Sequence, residues 1–193
     1  MLKIVKQAIT STLLMVALAV CGYTLSPFAT AVVLSGAIKN NNVALMDAIV
    51  DWQGVKESLR VSILRRLDEK ALARPDKPGM MERVKYTLTD TIGPYMVDYT
   101  LDQRVSPAGF ALYMGPHSPQ AEKVRAAGFD PDSLPSANTF KRIRHANFTD
   151  FTHFQIEIVD RWDPDKVFLA ELELRGVIWQ LARVDMLAMG AGA

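Results

Sequence analysis

The stretch Phe154–Leu181, FQIEIVDRWDPDKVFLAELELRGVIWQL, decides the fold. In it Phe154, Ile156 and Ile158 alternate with Gln155 and Glu157. Further on, Phe168, Ala170, Leu172 and Leu174 alternate with Glu171 and Glu173. A period of two sends successive side chains to opposite faces, the pattern of half-buried antiparallel strands. Asp163-Pro164-Asp165 and Arg175-Gly176 supply the turns between them. Val177 to about Met186 reads as a last strand and Arg142 to Phe148 as a first one, giving an antiparallel meander of three to four strands.

Before Phe140 the period is near 3.6. Val55, Leu59, Ile63 and Leu67 recur every four residues, while Lys56, Glu57, Arg60, Arg65, Arg66 and Glu69 fall elsewhere, so this segment is an amphipathic helix with one buried stripe. Asp51 is placed to cap it, and Asn42 to cap a short helix carrying Met46, Ile49 and Val50. Ser26-Pro27 reads as the capped start of a helix running to about Lys39. Arg74–Gly79 (RPDKPG) breaks the helical pattern; Met80 to about Arg104 is helix interrupted at Gly93-Pro94. Ser106-Pro107 starts a short helical turn. Gly115–Ser136 is mostly loop around a turn or two of helix at Gln120–Ala127. Helices followed by a strand meander make the class α+β rather than α/β.

Between Lys6 and Lys39 lie 32 residues without an Asp, Glu, Lys or Arg, and Thr12–Leu25 within them is TLLMVALAVCGYTL. A basic start followed by an apolar run is the pattern of a secretory signal or a signal anchor. The 17 residues Ile9–Leu25 reach the lower limit for crossing a bilayer, roughly 17–25 residues. Ala17-x-Ala19, Ala19-x-Cys21 and Ala29-x-Ala31 offer cleavage positions, and Leu18–Cys21 approaches a lipoprotein box, though Val20 is bulky for one. Anchor and cleaved signal both stay open. In either case Lys3 and Lys6 remain on the cytoplasmic side, and the rest of the chain faces the periplasm. The chain divides into residues 1–25 as signal or anchor, 26–187 as a single α+β domain, and 188–193 as a flexible tail.

The chain has 193 residues, and 49% of them are hydrophobic, enough for a core. Its single cysteine excludes a disulfide scaffold. Without Lys3 and Lys6 the 22 basic residues fall to 20 against 21 acidic ones, a net charge of −1, so nothing favours nucleic acid. There is no Gly-x-Ser-x-Gly elbow, phosphate loop or dinucleotide fingerprint, and no cofactor is expected. His117, His145 and His153, even with Asp150, are a thin basis for a metal site. Asp51, Asp98 and Asp102 are the candidate pocket carboxylates, and Trp162, beside a proline turn, is a candidate exposed pocket residue. Trp179 is assigned to the core. The basic run Lys141–His145 suits either lipid head groups, another envelope protein, or the solvated face of an edge strand.

Ser26, Pro27, Val50, Asp51, Trp52, Ser58 and Leu59, with Val105-Ser106-Pro107-x-Gly109 and Trp179-Gln180-Leu181, resemble a bacterial domain-of-unknown-function family, number 2939. That resemblance implies an exported or membrane-anchored protein and carries no known activity or catalytic residues. A looser similarity to cone-shaped α+β domains implies helices against a curved sheet, from which this chain departs by extra helical sequence at Met80–Met114. The expectation is an envelope domain, attached to the membrane through its N-terminal segment, that binds a small ligand or envelope protein without catalysis. Its alternative is a small-molecule isomerase or hydrolase using one of the three carboxylates. A third reading, an assembly subunit, requires a contiguous exposed apolar patch.

Overall fold

The computed structural model describes residues 2–72, 79–115, 117–133 and 139–187. Among the described residues six α-helices are followed by four strands: α1 (Leu2–Lys39), α2 (Val43–Ile49), α3 (Trp52–Leu72), α4 (Met80–Arg104), α5 (Pro107–Met114), α6 (Pro119–Ala126), β1 (Ile143–Phe148), β2 (His153–Val159), β3 (Val167–Arg175) and β4 (Ile178–Leu187). The strands form one antiparallel sheet in the order β1-β2-β3-β4, the α+β meander expected from the alternation. Residues 74–78 of the Pro/Gly break, Pro116, Pro135 and the tail 188–193 lie outside the described residues.

Two helix boundaries differ from expectation. No helix begins at Ser26-Pro27: α1 is one helix of 38 residues, about 57 Å long, with Pro27 inside it, so the boundary drawn at residue 25 falls in mid-helix. Gly93-Pro94 likewise does not interrupt α4, which continues through Pro94 to Arg104. Ser106-Pro107 and Ser118-Pro119 do start helices, each serine accepting from the backbone N–H three residues on. Gly109 is required in the first of these, because a Cβ there would stand 2.4 Å from the Arg104 carbonyl oxygen.

The core lies between the helices and one face of the sheet. Phe154, Ile156, Leu172, Trp179 and Leu181 from the strands meet Val50, Val55, Leu101 and Val105 from the helical half, with Tyr23, Phe28, Ala31 and Leu34 of α1 packed against them. Phe148, Phe154 and Trp179 fill the inner face of the sheet, where a cone-shaped domain would hold its pocket.

The free edge of β4 is closed by the helical half. Val50 bridges to Leu181, and the Asp51 N–H donates to the Leu181 carbonyl. The buried Ser58 hydroxyl accepts from the Val184 N–H at 3.0 Å and lies 3.2 Å from the Val184 carbonyl, while Arg66 donates to the Leu187 carbonyl at 2.6 Å. An open edge strand offers unpaired backbone groups to other chains, and these contacts remove that hazard. Ala182, left over where the β3–β4 register slips, brings its carbonyl so close to α3 that a Cβ on Gly54 would lie 2.5 Å from it.

Ser58→Ala leaves both Val184 backbone groups without their side-chain partner. The expected cost is about 1–3 kcal/mol, read as a lower urea midpoint together with faster exchange of the Val184 amide.

Candidate functional site

The site is the junction between α1 and the sheet. Pro27 has no N–H, so the Tyr23 carbonyl one turn back lacks its usual helical donor. The Ser26 hydroxyl donates to that carbonyl at 2.6 Å, and the Trp179 indole N–H donates to the Ser26 Oγ at 2.7 Å. The Tyr23 ring stacks on Phe148 with centroids 5.5 Å apart and lies tilted against Trp179, and its hydroxyl donates to the Phe151 carbonyl. One turn of α1 is thereby bound to β1, β4 and the β1–β2 turn.

Beside this junction lies an apolar groove of about 800 Å³. Val20, Tyr23 and Thr24 form its helical wall; Phe148, Phe151 and Leu174, with Asp150 and Thr152 of the β1–β2 turn, form the sheet side. In a four-strand meander the β1–β2 and β3–β4 turns share one end of the sheet, and both carry bare apolar side chains there. Phe151 is 87% exposed and Val177 92% exposed.

The β1–β2 turn is held by Asp150. Its carboxylate accepts from the Thr152 N–H at 2.7 Å and the His153 N–H at 2.9 Å, and lies 2.9 Å from His153 Nδ1. The Thr152 N–H, with His153 adding to it, lowers the Asp150 pKa to about 2. Asp150, chiefly through its hydrogen bond, raises the pKa of His153 above the ordinary 6.5.

The structure brings none of the sequence-selected pocket residues together. Asp51 caps α3, accepting from the Gly54 N–H at 3.0 Å, and pairs with Arg175 at 2.8 Å. The Gly54 N–H holds its carboxyl below the ordinary range against the opposing effect of partial burial, and Arg175 lowers it further. Asp98 pairs with Arg60 at 2.6 Å and Asp102 with Lys56 at 2.8 Å, both tying α4 to α3. Trp162 is half-buried rather than exposed, with the Arg161 guanidinium 4.7 Å over its ring. None of these four lines the groove or the smaller cavity on α6 bounded by Lys123, Val124, Ala127 and Phe129.

Other candidates separate in the same way. His145 pairs across the ladder with Glu157 while His153 stands at the opposite end of β2, about 13 Å along the strands. Among the described residues no group of three His, Cys, Asp or Glu side chains is gathered to hold a metal ion. The basic run Lys141–His145 opens β1 at the end of the sheet away from the groove, and Arg142 donates to the Val159 carbonyl at 3.0 Å. Trp179 is buried in the core. Ile92, Tyr95, Met96 and Tyr99 form an exposed stripe on α4, the kind of feature that the assembly reading requires.

Sequence reasoning missed Tyr23 and Phe151. The available signal was a tyrosine at the end of an apolar run, where an aromatic ring with a polar tip suits a membrane boundary. Its contact with residue 151 needed the fold.

A family model described as "Protein of unknown function (DUF2939)" matches residues 16–112. Neither the curated proteins nor the solved structures hold a match to the chain.

Asp150→Asn removes the main cause of the raised His153 value, so the His153 midpoint falls back toward 6.5 in an NMR titration of the imidazole ring. His153 stabilises the fold fully below about pH 6.5 and loses that contribution as the pH rises through its raised folded value. Asp150 contributes above its unfolded value near 3.8 and loses the contribution as the pH falls through about 2.

Proposed function

The chain belongs to the DUF2939 family, and we propose that it is a membrane-anchored envelope protein whose folded part binds a ligand or partner at the bilayer surface without converting it. The observation that carries this reading is the first half of α1. From Ile9 onward the helix is long and apolar enough to cross a membrane, and only 6% of its most apolar window is buried against the rest of the protein. The core helix of a soluble domain would be covered; Leu13, Leu14, Met15, Val16 and Leu18 are all bare. Lys3 and Lys6 precede the apolar run, so the bias of basic residues toward the cytoplasm puts the sheet and α2–α6 on the periplasmic side.

The geometry also bears on cleavage. A cut after Ala31 would strip Tyr23, Pro27 and Phe28 from the core. A cut after Cys21 would spare those residues but leave the groove without Val20, and a cut after Ala19 would make Val20 the first residue and leave the groove wall at a free chain end. A retained helix keeps both features. The binding reading rests on the groove, whose lining is apolar and hence suited to taking up hydrocarbon. The carboxylates of the enzyme reading are occupied by Arg175, Arg60 and Lys56 instead of converging on it.

The test is fractionation of cells expressing a C-terminally tagged chain, with carbonate extraction and intact-mass measurement. The full-length mass is expected in the carbonate-resistant pellet, with the tag open to protease only after the outer membrane is breached. A soluble product lacking the first two dozen residues overturns the anchor. Val16→Arg, near the middle of the span, costs about 2.5–3.5 kcal/mol of insertion, lowering the inserted-to-soluble ratio roughly 100-fold.

A further inference from the structure

We propose that the two turns at the α1 end of the sheet, with Phe151 and Val177 at their tips, insert into the periplasmic interface of the bilayer, so that the domain holds the membrane at three points. The proposal rests on the anchor reading and goes beyond it.

The length of free helix sets the level of the sheet. Lys6 is the last charged residue before the apolar run, and the folded part first grips α1 at Tyr23. Gln7–Gly22 is 16 residues, which at 1.5 Å each gives about 24 Å of free helix. The hydrocarbon core is about 30 Å thick. A span that starts after Lys6 reaches the far boundary near Ser26, within the segment already bound to the sheet. The turn end of the sheet therefore lies at the level of the far interface.

What the fold places there fits that medium. Phe151 and Val177 are almost fully bare, Ile178 is half bare, and the groove behind Phe151 shares its wall with Val20 of the span itself. Whatever covers Val20 also covers the groove, and around a membrane span that is lipid. Tyr23, half-buried and with an apolar ring and a polar tip, stands at the same level, as aromatic residues do at membrane boundaries. The charges nearby are paired: Asp150 with His153 at 2.9 Å, and Arg175 with Glu173 and Asp51 at 2.9 and 2.8 Å. At the opposite end of the sheet the β2–β3 turn is polar, Asp163-Pro164-Asp165-Lys166, and the Ser35–Thr139 contact fixes α1 at that end.

The test uses the full chain with Cys21→Ala, carrying one new cysteine labelled with the fluorophore NBD, in phosphatidylcholine vesicles containing doxyl-labelled phosphatidylcholine. Phe151→Cys and Val177→Cys replace exposed side chains, so folding is not at stake. Leu14→Cys reports the span and Asp165→Cys the distal turn. Loss of most NBD emission to the doxyl lipid at 151 and 177, together with 14 but not 165, is the expected result. Quenching at 14 while 151 and 177 respond only to aqueous iodide overturns the three-point contact and leaves the anchor standing. No lipid quenching at 14 overturns the anchor reading and this proposal with it.

Discussion

Everything else in the molecule depends on α1 staying unbroken through Pro27. A proline inside a helix removes one hydrogen bond and leaves a carbonyl without its donor. Here that carbonyl belongs to Tyr23, and the vacancy is filled by the Ser26 hydroxyl, itself held by the Trp179 indole. The defect in the helix is also the point where β4 takes hold of it. Because the repair needs Trp179, which is 153 residues away from Ser26, the helix and the sheet stabilise each other. Pro27 itself is fully buried, so its ring contributes apolar contact at the site where it breaks the ladder. The apolar half and the folded half of the chain are consequently joined by continuous helix instead of a loop.

Rigidity at that joint has a consequence for placement. Where α1 serves as the anchor proposed above, a loop between anchor and domain would let the domain rotate freely over the membrane, and the face turned toward lipid would be a matter of chance. A helix continuing from Gln7 into the core fixes the direction, and Ser35 against Thr139 fixes it a second time farther along. The end of the sheet nearest the span is then the same end in every molecule. Bare apolar side chains at that end, and a polar turn at the other, give the fixed direction a chemical sense.

Much of this was legible in the sequence. The alternation at Phe154–Ile158 and Phe168–Leu174, the helix from Trp52, and the caps Asn42, Asp51 and Ser106 are local patterns, and the structure contains each of them. On α3, however, the buried line is Val55, Ser58 and Ser62, while Leu59, Ile63 and Leu67 are only half-buried. The misreading at Ser26-Pro27 shows where local pattern stops. The same dipeptide occurs at 106–107 and 118–119, where the backbone leaves the helix first and a helix does begin. Nothing before Ser26 breaks the helix, and in an apolar stretch the backbone must satisfy its own hydrogen bonds. The serine therefore mends a helix instead of starting one. The site was less legible. Asp98 and Asp102 sit one turn apart in sequence, but their partners Arg60 and Lys56 come from another helix, which turns two candidate acids into cross-links. Tyr23 meets residue 151 only because the sheet is built.

The contacts between the two halves use both side-chain and main-chain partners. On the helical side they use particular side chains: Tyr23, Ser58 and Arg66. On the sheet side the partners of these three are main-chain atoms, namely the Phe151 carbonyl, both backbone groups of Val184, and the Leu187 carbonyl. Main-chain atoms are offered by any residue that takes the strand conformation, whereas a hydroxyl or guanidinium at the right turn of a helix is offered by few. Residue identity is required on both sides, in α1 and α3 and, in the sheet, at Arg175, Trp179 and Asp185 beside the alternation and the bulge at Ala182. Sheet side chains reach back as well, Arg175 to Asp51, Asp185 to Ser62 and Gln180 to the Ala48 carbonyl, and Trp179 does so at Ser26 beside Pro27, where the helix lacks a hydrogen bond of its own.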